Sequence, residues 1–586
     1  MKKSLLSIVF LLILSTSSNA QSPYLKESSK LHPAKLAWWQ DARFGLFVHW
    51  GPVTLSGIEI SWARNKYGAE KYDALYKRFN PVKFNADEWI SIAQSAGMKY
   101  IIFIAKHHDG FCNWDTKTTD YCITNTPFNR DICKELAAAA HKAGMPIGWY
   151  FSQADWVDKD CRNPQTNDVF VKRSKEQLTE LLTNYGKISF LWFDYEGNPS
   201  PQQPKEMYEL VNKLQPGIVV NNRLEVFNVD ESHSMIGNYG DYATPENFVA
   251  GYGSIPWETC TNLGHQWSWK WNDTPRDMKE SATTLLRCVG GNGNLLLNVG
   301  PDSLGQFPAN FVDRLHELGR WIKPRAASVY GTKGGPYTPA TDYVCTSKGN
   351  FVYLQIINLK GDTMTLPALP TKILNAKFVD GQAVEFIQNK KFLKLIIPAK
   401  YKDRIATTIT LTIDKPASEL PLIIPFGKSG SLAYGKKSSA FSSMGQFLHD
   451  PSAAFDENPG TSWKMGRKAD ANFDIYYGKK LNDRSEEIKP LYDASGWLAV
   501  DLGKPQEVGR IVLSEQKYYG ISKILQFEVQ YLKGKNWITI AKGEEMNDWK
   551  QNIIPVKAQK FRLVILKKDG FVGVKEFQLF GSEKKR

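Results

Sequence analysis

Residues 187–197 read KISFLWFDYEG, an apolar run that stops abruptly at the carboxylate of Asp194. Such a run, with little polar alternation, predicts a strand buried on both faces, as in the parallel sheet of an α/β protein. Parallel α/β barrels collect their catalytic groups at the C-terminal ends of their strands, so Asp194 is a candidate nucleophile or base. The alternative is that Asp194 caps the loop or helix that follows.

Outward from this strand, short apolar runs alternate with helical segments between about residues 44 and 322. The other predicted strands are residues 44–48, 100–104, 147–151, 218–220 and 295–298, and helices are predicted to open at residues 85–88 and to span 131–142. Repeated strand and helix at this spacing predict a (β/α)8-like barrel, which we assign to residues 21–339. A doubly wound sheet is the alternative, but no glycine-rich phosphate loop follows the first strand.

The second half of the chain changes character, because helical periodicity disappears after about Val329. Residues 340–426 carry short alternating stretches separated by Gly, Asp and Pro, which predict a small antiparallel β-sandwich. Residues 427–439 are rich in Gly, Ser and Lys and predict a linker. Residues 440–586 again show β patterning, so the chain is predicted to be a multidomain α/β plus β protein.

The first 20 residues have the pattern of a secretory signal. Lys2 and Lys3 precede an apolar segment at 5–14, and the small residues Ser18-Asn19-Ala20 offer a cleavage point. No later stretch reaches about 18 uninterrupted apolar residues, so no membrane span is predicted. We therefore expect the mature protein to be exported, to a periplasmic or extracellular location.

Charge and cysteine content exclude two further classes. The formal charge is +14, but the lysines are spread along the chain, and a nucleic-acid-binding protein would concentrate them in a stripe. The seven cysteines show no CxxC spacing, so no zinc site is predicted, and their odd number leaves at least one thiol outside any intrachain disulfide. The oligomeric state is not determined by these features.

The ends of the predicted barrel strands carry groups suited to a polar ligand. His49 follows the first strand, His107 and His108 follow the second, and Tyr150 lies near the end of the third. Aromatic faces stack on the C–H patches of a sugar, while imidazole and phenol groups bond its hydroxyls, so this set indicates a carbohydrate site. A histidine metal site is less favoured, because adjacent residues on a strand point to opposite faces.

Six segments carry a resemblance to a known family: FGLFVHWG at 44–51, KHHDGF at 106–111, LWFD at 191–194, GDYATPE at 240–246, WETC at 257–260 and GNLLLNVGP at 293–301. In this order they resemble the α-L-fucosidases of glycoside hydrolase family 29. The resemblance implies a retaining exo-α-L-fucosidase that hydrolyses terminal α-L-fucose from glycans, uses no cofactor and forms its covalent intermediate on Asp194. The fucose-contacting positions it implies are His49, Trp62, His107, His108, Tyr150, Trp192 and Arg223.

A retaining glycosidase needs a second carboxyl as acid/base. The acids downstream of the nucleophile are Glu225, Glu231, Asp241, Glu246 and Glu258, and the sequence does not rank them by geometry. The resemblance favours Glu246 of the TPE segment, with Glu258 as the reserve. The alternative for Glu258 is an acid that holds a loop beneath the sugar.

The chain departs from the family at Ser61-Trp62, where many members carry an acid before the tryptophan. A serine cannot supply a charge-assisted hydrogen bond, which is about twice as strong as a neutral one. The sugar contact implied by the resemblance is therefore carried over for Trp62 and not for Ser61.

The last domain resembles the discoidin, or coagulation factor 5/8 type C, modules, which overlap carbohydrate-binding module family 32. The resemblance rests on AAFDENPGTSW at 453–463, GWLAVDLG at 496–503, FEVQY at 527–531 and FRLVI at 561–565. Such modules include members with a structural calcium ion, which here would lie near Asp456. Catalysis itself needs no metal under this interpretation.

Two other functions stay open at this stage. One is a carbohydrate-binding protein whose barrel has lost catalysis, although a lectin has no need of acids at 194 and 246. The other is a hydrolase for a related sugar, such as an α-L-galactoside. Linkage and leaving-group preference are set by loops beyond the first sugar and are not predicted from the sequence.

Overall fold

The structure is a computed structural model that describes residues 33–194, 202–224, 239–247, 249, 251–443, 449–458, 461–465, 495–517, 521–570 and 572–582. The predicted signal at 1–20 and the candidate acids Glu225 and Glu231 lie outside these residues. Within the described ranges, no helix combines the length and the apolar character that a membrane span requires.

The first domain is built on a parallel sheet of seven strands in the order β5-β4-β3-β2-β1-β7-β6. The strands are β1 (Phe44–Val48), β2 (Ile101–Lys106), β3 (Ile147–Ser152), β4 (Phe190–Asp194), β5 (Val219–Val220), β6 (Glu258–Asn262) and β7 (Asn294–Asn298). The six predicted strands are confirmed within two residues at each end. The strand β6 was not predicted, because its sequence ETCTN has no apolar run, although every one of its residues is buried.

The sheet closes towards a barrel through a segment that forms only single β-bridges. Tyr242 bridges Asn221 at the end of β5, and Ala243 bridges Trp257 just before β6, both in parallel register. This segment takes the one barrel position that no named strand fills, the sixth in chain order, between β5 and β6. The observed architecture is therefore the predicted (β/α)8-like barrel, with its sixth position reduced to a short extended stretch.

Helices cover the outside of this sheet, and two show why they begin where they do. Asn85 and Asp131 each accept a hydrogen bond from the backbone N–H three residues ahead, at 3.2 and 2.8 Å, which caps the helix. The helices are Pro33–Ala42, Arg64–Tyr67, Ala69–Asp73, Ala86–Ser95, Ile132–Lys142, Asn167–Thr183, Gln202–Leu214, Met278–Gly290 and Ala309–Ile322. One large apolar core joins the helices from Ala86–Ser95 onward to the strands, while Trp39 and Ala42 of the first helix belong to a separate cluster.

The second domain pairs two antiparallel sheets around its own core. One sheet has the order β12-β15-β10-β9-β8 and the other β11-β14-β13. The strands are β8 (Lys333–Gly334), β9 (Tyr343–Lys348), β10 (Phe351–Ile356), β11 (Thr363–Pro367), β12 (Ile373–Phe378), β13 (Glu385–Gln388), β14 (Phe392–Ile396) and β15 (Thr407–Ile413). The predicted small β-sandwich is confirmed.

The C-terminal domain is an antiparallel sheet in the order β17-β22-β18-β21-β19-β20, with β16 paired to β18. Its strands are β16 (Lys437–Ala440), β17 (Trp463–Lys464), β18 (Gly496–Glu515), β19 (Ile524–Lys533), β20 (Asn536–Glu544), β21 (Asp548–Lys568) and β22 (Gly573–Phe580). The two long strands β18 and β21 change register along their length, and a separate apolar core fills this domain. The seven cysteines of the chain are all buried and unpaired.

Candidate active site

Asp194 ends β4 at the C-terminal mouth of the barrel, where two donors hold its carboxylate. Tyr150 Oη donates to Oδ2 at 2.8 Å, and Arg223 Nη1 donates to Oδ1 at 2.9 Å. Both bonds favour the ionised carboxylate, the form that a nucleophile requires. The Asp194 side chain keeps 18% of its surface exposed, so a ligand can reach it from the barrel mouth while Tyr150 and Arg223 hold it in place.

Arg223 joins Asp194 to a second carboxylate. Its other terminal nitrogen, Nη2, donates to Glu246 Oε2 at 3.0 Å, while Nε donates to Thr244 Oγ1 at 2.9 Å. Burial by itself would lower the pKa of Arg223, but Asp194 and Glu246 outweigh it and raise that pKa above its ordinary value. The Arg223 guanidinium therefore lies between the two carboxylates and binds both of them.

The extended segment around Glu246 lies along β6, which explains how a loop residue is held in place. Cys260 N donates to Pro245 O at 3.1 Å, and Asn247 N donates to Cys260 O at 2.9 Å. These backbone bonds flank Glu246 and pin it to the strand. Its side chain is 31% exposed and therefore more open to solvent than Asp194.

Glu258, the reserve acid, is not part of this site. It is the first residue of β6, so it lies at the N-terminal end of the barrel, opposite to Asp194. It is fully buried and accepts hydrogen bonds from Tyr100 Oη and from Trp39 Nε1, the latter at 3.2 Å. Burial raises its pKa to about 7, and the hydrogen bonds oppose that rise. In this position Glu258 links the first helix and the start of β2 at the bottom of the barrel through Trp39 and Tyr100.

His49, at the end of β1, is held in one tautomer by Asn298 at the end of β7. The Nδ2 group of Asn298 donates to Asn262 Oδ1 and to Trp267 O, both at 2.7 Å, so its Oδ1 is the acceptor. That oxygen lies 2.8 Å from His49 Nδ1, which must therefore carry the proton. Burial lowers the pKa of His49 to about 3, so the ring is neutral.

Asn298 was not among the predicted site residues, although it lies in the quoted segment GNLLLNVGP. It is the last residue of β7, so the rule that strand ends carry site groups could have found it. Its partner Asn262 ends the unpredicted strand β6 and carried no sequence signal.

The two adjacent histidines are also neutral and are oriented by serines. Ser61 Oγ lies 2.6 Å from His107 Nδ1, and Ser152 Oγ lies 2.8 Å from His108 Nδ1. Burial lowers both pKa values, that of His108 to about 4. Ser61 itself is fully buried, so this chain holds His107 with a neutral hydroxyl.

Aromatic rings complete the site. Tyr150 stacks between Trp192 and His107, with ring centroids 5.4 and 5.3 Å away. Trp62 lies at the mouth with 56% of its surface exposed, edge-on to His108 at 5.3 Å. The structure thus gathers Asp194, Glu246 and all seven predicted contact residues around one mouth. Of the other candidate acids that it describes, Glu258 lies at the bottom of the barrel and Asp241 is buried in an ion pair with Lys35.

A second cluster of acids lies in the C-terminal domain. Asp456 is held by Thr461 Oγ1 at 2.8 Å and by Asn458 N at 2.9 Å. Burial, followed by the nearby carboxylates Asp456 and Glu457, raises the pKa of Glu576 to about 9, and its buried Oε2 has no partner among the described residues. Two neighbouring half-buried carboxylates, one with an orphaned oxygen, are the oxygen ligands that calcium prefers. Among the described residues they are not part of a group of three or more His, Cys, Asp or Glu side chains that could hold a metal, so further ligands would be backbone carbonyls or water.

Family models match two parts of the chain. The α-L-fucosidase model matches residues 11–326, which is more than half of the chain, and the F5/8 type C domain model matches residues 436–577.

Individual proteins show the same relationship. The chain is 32% identical to α-L-fucosidase isoenzyme 1 from Paenibacillus thiaminolyticus, with a TM-score of 0.61 over 65% of this chain and 99% of that one. It is 25% identical to human plasma α-L-fucosidase over 60% of this chain and 83% of that protein. The α-L-fucosidase from Vibrio sp. strain EJY3 shares the fold over 92% of this chain and 97% of that one, with a TM-score of 0.64 at 21% identity.

Proposed function

Because this chain belongs to the α-L-fucosidase family, glycoside hydrolase family 29, we propose that it is an exported, retaining exo-α-L-fucosidase acting on terminal α-L-fucose of glycans. The observation that carries the proposal is the bridging of Asp194 and Glu246 by Arg223 at the barrel mouth. The signal pattern of residues 1–20 supports the export part of the proposal, and the expected destination is periplasmic or extracellular.

In the proposed reaction Asp194 attacks the anomeric carbon of fucose while the bond from that carbon to the leaving oxygen breaks. Glu246 donates its proton to the leaving oxygen, and a covalent fucosyl ester forms on Asp194. Glu246 then takes a proton from water, whose oxygen displaces Asp194 from the anomeric carbon. Two displacements at one carbon restore the original configuration, so the released fucose is the α anomer.

The surrounding groups have separate parts in this reaction. Arg223 and Tyr150 keep the Asp194 carboxylate ionised and aimed, since each donates to one of its oxygens. The neutral imidazoles of His49, His107 and His108 are available as hydrogen-bonding groups for sugar hydroxyls, without the cost of binding beside a buried charge. Trp62 and Trp192 supply the aromatic faces.

The test is a screen of fucosylated oligosaccharides, with α-L-galactosides beside them and products followed by NMR. We expect free fucose to appear first as the α anomer, with α-L-galactosides cleaved more slowly. Initial release of the β anomer would contradict retention. Binding of the oligosaccharides without any cleavage would instead show a carbohydrate-binding protein.

We also propose that Asp456 and Glu576 hold a structural calcium ion in the C-terminal domain. Bound calcium would stabilise the ionised form of two half-buried carboxyl groups, which burial and their mutual proximity otherwise disfavour. The domain should therefore melt at a lower temperature in chelator and recover with calcium. Glu576→Gln removes a ligand charge and should abolish the response to calcium. Glu457→Gln should retain the response, because the half-buried Glu457 carboxylate accepts instead from Lys428 N and Ser429 Oγ. Calorimetric melting of the whole chain measures this, and an identical melting temperature with and without calcium would refute the site.

A further inference from the structure

The chain buries or half-buries 16 of its 18 tryptophans, all of which lie in the described residues. The two exceptions are Trp62, which is 56% exposed, and Trp271, which is 75% exposed. Both belong to loops that follow barrel strands at the C-terminal mouth, after β1 and β6 respectively. Trp62 already has a proposed role as an aromatic face of the fucose site, whereas Trp271 has no role in the proposed reaction.

The loop that carries Trp271 is built to hold its shape. It closes at its base, where Arg276 N donates to Leu263 O at 2.8 Å. Inside it, Asp273 accepts from the backbone N–H of His265 at 3.0 Å, and its side chain is 9% exposed. An exposed ring on a tied loop loses little conformational freedom on binding a ligand, which favours affinity.

This loop is also fixed to the loop after β1. The carboxylate of Glu59 accepts from Trp267 N at 2.9 Å and from Ser268 N at 3.0 Å, and Ser268 Oγ accepts from Ile60 N at 3.1 Å. Farther out, a Cβ added to Gly57 would lie 3.5 Å from Trp271 Cδ1. These contacts fix the loop that carries Trp271 against the loop that carries Ser61 and Trp62.

The loop runs continuously from the fucose site to solvent. At its inner end Trp267 packs against His49, with ring centroids 4.8 Å apart. Trp269 follows, half-buried beside Gly57, and Trp271 stands at the outer end. Trp271 is thus an exposed aromatic ring on the same loop that contributes Trp267 to the wall of the fucose site.

We propose that Trp271 is a stacking platform for a pyranose on the leaving-group side of the scissile bond, so that it helps to select oligosaccharide substrates. The proposal rests on the proposed fucosidase function and names the ligand of its outer subsite. An indole face suits the C–H face of a pyranose, and the neighbouring polar residues Lys270 and Asn272 are exposed and can meet its hydroxyls.

The experiment compares kcat/KM for a fucosylated trisaccharide with kcat/KM for α-L-fucosyl fluoride, whose leaving group has no ring. Trp271→Ala should lower the ratio of the two values by roughly tenfold, the scale of one aromatic contact. Trp271→Tyr should restore most of the ratio, because it restores an aromatic face, and Trp271→Leu should not. Phe351→Ala, which removes an exposed aromatic ring from the second domain, is the matched control and should not change the ratio.

Binding separates this inference from the catalytic proposal. In the Asp194→Asn background, calorimetric titration with the intact trisaccharide should show a roughly tenfold weaker Kd when Trp271 is also changed to Ala. This holds whether or not the wild type turns over fucosyl fluoride, whose hydrolysis tests the fucosidase proposal alone. An unchanged ratio and Kd would overturn the platform. A change in oligomeric state on gel filtration, in place of a change in ratio, would overturn it in favour of a contact with a second copy.

Discussion

Replacing Asp194 by Asn is expected to leave a folded protein whose turnover of fucosides falls by on the order of 10⁴-fold or more. An amide has the size of the carboxylate and can still accept from Tyr150, but it cannot attack the anomeric carbon. The fold should survive because Asp194 lies at the partly exposed end of β4 and Arg223 keeps Glu246 as its counter-ion. Steady-state rates on an aryl fucoside measure the loss, with circular dichroism as the check on folding.

Azide makes this prediction specific to a nucleophile. A small anion can occupy the space beside residue 194 and displace an activated leaving group in one step, so azide should restore turnover and give β-fucosyl azide. The matched control is Asp302→Asn, an acid in the turn after β7 that accepts from Leu304 N and Gln306 N, each at 2.9 Å. The Asp302→Asn variant should keep a near-normal rate. A near-normal rate in Asp194→Asn would contradict the assignment of the nucleophile.

Replacing Glu246 by Ala should produce the second-largest effect, and its size should depend on the leaving group. Loss of a general acid costs roughly 10²- to 10⁴-fold when the leaving oxygen must be protonated. The effect on the first step should be far smaller for an activated aryl fucoside, whose oxygen departs unaided. Brønsted plots of kcat/KM against leaving-group pKa measure the difference, which should appear as a steeper slope in the variant.

Glu258→Gln is the control for Glu246→Ala, because the buried acid at the bottom of the barrel should affect stability and leave the Brønsted slope unchanged. As the pH rises through about 4.5, the unfolded chain loses the Glu258 proton, while the folded chain keeps it until about pH 7. The folded state therefore loses stability between these two pH values, by roughly 3 kcal/mol at 1.36 kcal/mol per pKa unit.

Glutamine has no proton to lose, so Glu258→Gln should remove that fall. Denaturant unfolding at pH 5 and pH 8 measures it. If Glu258→Gln instead steepened the Brønsted slope and Glu246→Ala did not, the assignment of the acid/base would be reversed.

Local sequence determined much of the fold. Six barrel strands and two capped helices could be predicted because buried parallel strands are continuous apolar runs and caps act within three residues. Asp194 could be placed at the mouth for the same reason, since it directly ends such a run. The strand β6 was missed because its buried positions are filled by Thr, Cys, Glu and Asn. These side chains bond partners on other elements, such as Tyr100, Asn247 and Asn298, that only the folded barrel brings near.

Only the tertiary structure distinguished Glu246 from Glu258. The two acids are 12 residues apart in the sequence, yet Glu246 pairs with Cys260 and reaches Arg223 at the mouth, whereas Glu258 begins β6 at the bottom of the barrel. The chain turns back between Glu246 and the start of β6. The hydrophobic periodicity of the sequence does not predict this reversal of the chain. The tautomer of His49, the orientation of His107 by Ser61 and the exposure of Trp271 likewise depend on contacts between distant loops. The sequence alone thus determined the fold class and the strand-end residues, and the packing of loops after β1, β5 and β6 decided which of those residues meet.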